Sequence, residues 1–177
     1  GVYATLCRKH AVAKSGADYV LAGAAVNHIG FIVKGILNMP LSFLPLSHDP
    51  DALPYPAMDL LADPDQLPIL TSRGCPYRCP YCASRILHGD FRSRSPRRVA
   101  AEIFFWIRTM GIKNFSFYDD ALLMRPEELA IPLLEEIIQR NPAVNFHCPN
   151  GLHLREITPR IASLLFRSGF RTLRFGL

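Results

Sequence analysis

From residue 67 onward the chain alternates strand signals with helix signals, and this alternation limits the fold more than any other feature. Residues 67–72 form an apolar run of strand length. Ser95 and Pro96 supply an N-cap and a proline at the first helical position, and Val99, Ile103, Trp106 and Met110 recur at helical spacing up to Gly111. Residues 114–118 read as a second strand. Glu127 and Glu128, after Pro126, place acids at the positive end of a second helix, which Pro132 should bend or restart. Residues 144–148 are a third strand, Thr158-Pro159 starts a third helix that stops at Gly169, and 172–177 is a fourth strand. Strict alternation implies parallel strands joined by right-handed crossovers. An apolar strand at the end of the run leaves a sheet edge open, so the sheet is expected to continue beyond Leu177.

The first 66 residues differ in character. Strand signals at 2–6 and 18–22 and helix signals at 10–15 and 26–37 suggest two βα units, too few to be stable alone. Seven of the 15 prolines then fall between Pro40 and Pro68, which marks 40–66 as a linker laid over a surface. Charge is uneven as well. Residues 1–72 carry a net −2 and residues 73–177 a net +7, and 16 of the 20 basic residues are Arg. No basic block with interleaved aromatics points to nucleic acid, so the excess reads as a solvated basic face. With 49% hydrophobic residues and mean hydropathy +0.12, the chain is neither disordered nor collagen-like. The most apolar stretch, 20–33, is interrupted by Asn27 and His28 and followed by Lys34, so no membrane span and no leader peptide are expected.

Five cysteines (Cys7, Cys75, Cys79, Cys82 and Cys148) are an odd number, and three crowd into the loop after the strand at 67–72. That pattern reads as metal or redox chemistry rather than a disulfide framework. Three thiolates spaced by three and two residues can hold one cubane and leave its fourth iron without a protein ligand. Gly74 permits a tight turn just before Cys75. Two rivals stay open. Cys79-Pro-Tyr-Cys82 is also the motif of a glutaredoxin-like thiol–disulfide oxidoreductase, and His88 supplies a fourth ligand for a structural zinc site. Cys7 and Cys148 lie in strand-like apolar surroundings and read as small buried hydrophobes.

The loop CxxxCxxC after the first strand of a βα repeat, with aromatic Tyr81 before its last cysteine, resembles the radical S-adenosylmethionine (radical SAM) superfamily. The resemblance extends through 91–96, Tyr118-Asp119-Asp120 and 169–176. Residues 1–6 and 16–23 are similar to the last βα units of the cobalamin-binding domain that precedes the core in one large group of the family. The resemblance implies an α/β architecture. Residues 1–39 would be the remnant of a Rossmann-like, cobalamin-binding-like domain, 40–66 a Pro-rich linker, and 67–177 the N-terminal part of a radical SAM core, the first half of a parallel βα partial barrel. It implies that Cys75, Cys79 and Cys82 ligate a [4Fe–4S] cluster, that Tyr81 lies near the adenine of SAM, and that Asp119 and Asp120 stand where the family binds the SAM ammonium. It further implies an oxidoreductase or transferase that reductively cleaves SAM to a 5′-deoxyadenosyl radical. Its electrons would come from a flavodoxin- or ferredoxin-type donor in a reducing cytoplasm, its substrate would be a small molecule or a macromolecule, and cobalamin would enter only in the full-length protein.

Overall fold

The computed structural model describes residues 1–23, 26–38 and 49–176. Residues 24–25, residue 39, residues 40–48 of the expected linker and the terminal Leu177 lie outside the described residues. The chain divides into two compact units, one of residues 1–48 with 74–91 and the other of 49–73 with 92–177.

The second unit is a four-stranded parallel sheet with helices. Strands β1 (Gln66–Ile69), β4 (Asn114–Phe117), β5 (Asn145–His153) and β6 (Phe170–Gly176) lie side by side in chain order. Every pairing is parallel, with Leu67 opposite Phe115 and Phe115 opposite Phe146. Helices α5 (Pro96–Met110), α6 (Ala130–Arg140) and α7 (Pro159–Arg167) supply the crossovers. A short antiparallel pair, β2 (Ser72–Arg73) with β3 (Arg92–Ser93), stands beyond the end of β1. No barrel is closed among the described residues.

Period-two alternation sends Leu67, Ile69, Phe115, Phe117 and Phe146 to one buried face. There they meet Val99, Ile103 and Trp106 of α5, Ile131, Leu134 and Ile137 of α6, and Ile161 and Leu165 of α7. The rings interlock, with Phe117 and Phe170 5.4 Å apart and Phe115 and Phe146 5.9 Å apart. The opposite face is polar. Gln66 donates to Ser116, and His147 and Thr172 are hydrogen-bonded at 3.1 Å. Local signals set the helix ends. The side chains of Ser95 and Thr158 accept from Arg98 N and Ile161 N, and Gly111 closes α5 at φ +67°.

Two strand–helix boundaries depart from expectation. Helix α6 begins at Ala130 rather than Pro126, because Pro132 has no N–H and its ring opposes the carbonyl four residues back. Residues 126–129 form turns instead. Strand β5 runs on to His153 through Pro149-Asn150-Gly151, where a register shift between Cys148 and Gly151 absorbs the apparent breaker. The strands run close at Gly151, where a Cβ would stand 3.1 Å from the Gly176 amide.

Of the expected linker, residues 49–60 lie along α5. Tyr55 packs on Phe105 at 5.5 Å and beneath the Arg98 guanidinium at 4.6 Å, and Asp51 accepts from the Ser95 amide at 2.9 Å.

The first unit is helical where two strands were expected. Residues 2–6 form α1 (Val2–Leu6), followed by α2 (Arg8–Lys14), and residues 18–22 belong to no ladder. A strand is stable only beside another strand, and none pairs with either segment among the described residues. Local hydrogen bonding then decides. The expected helix at 26–37 is present as α3 (Val26–Leu37). Helix α1 lies against α4 (Ser84–His88), and the Gly23 amide donates to Thr5 Oγ1 at 2.9 Å. No helix among the described residues is long and apolar enough to cross a membrane.

Candidate functional site

Strand β1 ends at Ile69, and the residues that follow are held from two sides. On one side stands Asp119, just past the end of β4 and only 1% exposed. Its Oδ1 accepts from the Thr71 amide (3.0 Å), Thr71 Oγ1 (2.6 Å), the Ser72 amide (2.6 Å) and Ser72 Oγ (2.7 Å). Its Oδ2 shares the Thr71 amide at 3.2 Å. Burial pushes the Asp119 carboxyl above its ordinary value, against the four hydrogen bonds that favour the ionised form. On the other side, the Arg94 amide donates to the Thr71 carbonyl at 2.8 Å and Arg94 Nη1 to the Leu70 carbonyl at 2.9 Å. Arg94 Nη2 is paired with Glu102, which is 2% exposed.

Asp120 is half-buried beside this cluster in sequence. Asn150 ties β5 to the same strand end by donating to the Tyr118 carbonyl (2.9 Å) and the Asp119 carbonyl (3.2 Å). The Cys148 thiol donates to the Asn150 carbonyl at 3.3 Å. Burial first, and the nearby Asp119 charge second, push it up to about 12. Cys148 is buried, as expected, whereas Cys7 is exposed in a helix junction rather than a strand.

The three-cysteine loop belongs to the first unit. Gly74 opens it at φ +78°, where a Cβ would press to 3.1 Å on the Gly89 carbonyl and 3.2 Å on that of Asp90, so only glycine fits. Cys75 is half-buried, and Cys79 and Cys82 are exposed. The Cys82 amide donates to the Cys79 carbonyl at 3.0 Å and makes a turn of Cys79-Pro-Tyr-Cys82. No disulfide joins any of the five cysteines. Tyr81 is 88% exposed. In this conformation Cys75, Cys79 and Cys82 are not gathered into one ligand set, and among the described residues no three His, Cys, Asp or Glu side chains are placed to hold a metal ion. As donors they suit a soft iron–sulfur group: three unbridged thiols on one turn-rich loop, two of them open to solvent.

The sequence reading missed Thr71, Ser72, Arg94 and Glu102, the residues that hold the strand exit with Asp119. Glu102 sits on the apolar stripe of α5 between Val99 and Ile103, and a carboxylate on a buried stripe signals a buried cation. Thr71 and Ser72 carry no such signal. A groove of about 630 Å³ between α5 and α6, lined by Arg97, Glu135, Gln139 and Arg140 among others, takes no residue from the strand ends.

Comparison with known proteins bears on the same stretch. The Radical SAM superfamily is matched over residues 69–177. An uncharacterized methyltransferase of Pyrococcus horikoshii is 28% identical over 141 residues, covering 75% of this chain and 30% of that protein. The bacteriochlorophyllide d C-12(1)-methyltransferase of Chlorobaculum tepidum is 30% identical over 113 residues, 62% of this chain and 24% of its own length. The anaerobic magnesium-protoporphyrin IX monomethyl ester cyclase of Synechocystis is 41% identical over 49 residues, 28% of this chain and 10% of its own length. The chain thus spans less than a third of the length of these relatives. Among solved structures, the radical S-adenosylmethionine methyltransferase TsrM of Kitasatospora setae, with cobalamin and a [4Fe-4S] cluster bound, shares the fold at TM-score 0.55 and 23% identity. That match covers 62% of this chain and 20% of TsrM. A parallel sheet in chain order, entered by a CxxxCxxC loop directly after its first strand and matched from Ile69 onward, places this chain in the radical SAM superfamily.

Proposed function

We propose that the chain is the cluster-bearing part of a radical SAM enzyme, with Cys75, Cys79 and Cys82 as the iron ligands. The observation that carries this is the position of the three thiols, on a glycine-opened loop that follows the first strand of a parallel sheet. When bound and reduced, a [4Fe–4S] cluster supplies the electron that cleaves the sulfonium of SAM. This chain's own residues do the holding. The thiols bind as thiolates, Tyr81 offers an aromatic face to the adenine, and the Asp119–Asp120 strand end supplies a carboxylate for the SAM ammonium. The methyltransferases among its relatives support methyl transfer as the reaction of the whole protein, with cobalamin as a further cofactor there. In this proposal the electrons come from a flavodoxin- or ferredoxin-type donor in a reducing cytoplasm.

The test is anaerobic reconstitution with iron and sulfide. Uptake of about four irons and four sulfides per chain, with an EPR signal that SAM perturbs, supports the proposal. Cys79→Ala should abolish uptake. Binding of a single zinc overturns it in favour of a structural site, and two redox-titrating thiols without iron overturn it in favour of disulfide exchange.

A further inference from the structure

The two aspartates at the end of β4 do not stand in equivalent places. Asp119 is buried with its carboxylate against Thr71 and Ser72, while Asp120 keeps part of its surface accessible. We propose that Asp119 is a positioning residue that anchors the chain on its way into the cysteine loop, not a ligand of a bound cation. The assignment rests on that loop binding a cluster, as proposed above, and it leaves Asp120 as the carboxylate of this pair for the SAM ammonium.

Four donors from two consecutive residues converge on one oxygen of Asp119. A cation on that oxygen would displace them and strand the Ser72 amide and two hydroxyls in a buried setting. Two backbone and two side-chain contacts to one fixed point also fix the backbone of Thr71 and Ser72. Asn150 holds the Asp119 main chain in turn, through its carbonyl. Arg94 and the buried Glu102 hold Leu70 and Thr71 from the other side, and Ser72 pairs with Ser93 in the β2–β3 ladder. Cys75 follows Ser72 by three residues, and a span of that length reaches about 10–11 Å when fully extended. The anchored Ser72 therefore bounds where the first thiol can go.

The experiment compares Asp119→Asn with Asp119→Ala in the whole chain. Asn keeps the Oδ1 acceptor and loses the charge, so a positioning role is rescued by Asn and a cation-binding role is not. On the iron-free chain, the amides of Thr71 and Ser72 should exchange about tenfold faster in Asp119→Ala and stay near wild type in Asp119→Asn. After reconstitution Asp119→Asn should load iron and bind SAM like wild type, while Asp120→Asn should lose SAM affinity. Unchanged exchange in Asp119→Ala overturns the proposal. So does an Asp119→Asn variant that loads iron but binds SAM as poorly as Asp119→Ala. Should Asp119→Ala fail to fold, Ser72→Ala removes one donor and keeps the carboxylate. Alkylation of Cys75 should then rise about threefold relative to Cys7, and an unchanged ratio overturns the proposal. Failure of the wild-type chain to take up iron would sink the cluster reading alone, because the exchange readout needs no metal.

Discussion

The two units of this chain are held together by different physics. In the second, six phenylalanine and aliphatic strand residues lie at or below 2% exposure under three amphipathic helices. In the first, Ala11 is the one buried apolar side chain among the described residues, while Phe31, Ile36, Tyr19 and Val12 are exposed. The first unit is shaped by short helices, backbone turns and glycines at positive φ. Burial of apolar area is the main favourable term in folding, so the second unit can specify itself and the described residues of the first have little to draw on. The proposed cluster ligands sit in that weaker unit. Metal binding by a loop that lacks its own core also supplies folding free energy, which makes cluster assembly and ordering of the loop one event in the proposed reading.

Five measurements test this contrast. Phe146→Ala removes a ring that contacts Phe115, Phe117 and Phe170, and should cost about 3–5 kcal/mol in urea unfolding. A loss below about 1 kcal/mol would deny the second unit its packed core. Glu102→Ala leaves the Arg94 guanidinium poorly exposed and without its carboxylate, at a cost of about 3 kcal/mol. The double variant Arg94→Met with Glu102→Leu should recover most of that, whereas an additive loss would mean that the pair is not coupled.

Gly74→Ala places a side chain at φ +78° against two carbonyls and should destabilise the loop by about 1–2 kcal/mol. Limited proteolysis within 74–91 reads it, while the urea midpoint of the second unit stays put. The fourth measurement is pH dependence. Cys148 ionises near 9.0 unfolded and at about 12 folded, so between those values the folded chain keeps a proton that the unfolded chain has lost. Its contribution is complete below 9.0 and falls as pH rises toward 12, and Cys148→Ala should flatten that part of the stability profile. At pH 8 the same thiol should resist alkylation while exposed Cys79 and Cys82 react. The smallest effect belongs to Phe31→Ala. With Phe31 70% exposed, a change under about 0.5 kcal/mol is expected, and a larger one would reveal packing in the first unit.

Whatever depends on spacing along the chain was legible in the residues alone. The alternation of periods after residue 67 settled parallel strands joined by helices, and the folded sheet set their order. Ser95-Pro96 and Thr158-Pro159 set helix starts that the structure keeps, and the cysteine spacing marked the loop. Tertiary structure decided what depends on partners distant in sequence. Residues 2–6 carry strand-forming Val2, Tyr3 and Thr5 yet are helical, because a strand needs a neighbour to bond. Strand β5 passes through Pro149-Asn150-Gly151 because β6 lies alongside to pair with it across a register shift. Asp119 and Asp120 are chemically identical in the sequence, and nothing local separates them. The hydrogen bonds that distinguish Asp119 come from Thr71 and Ser72, 48 and 47 positions away, and only the folded sheet brings those groups together.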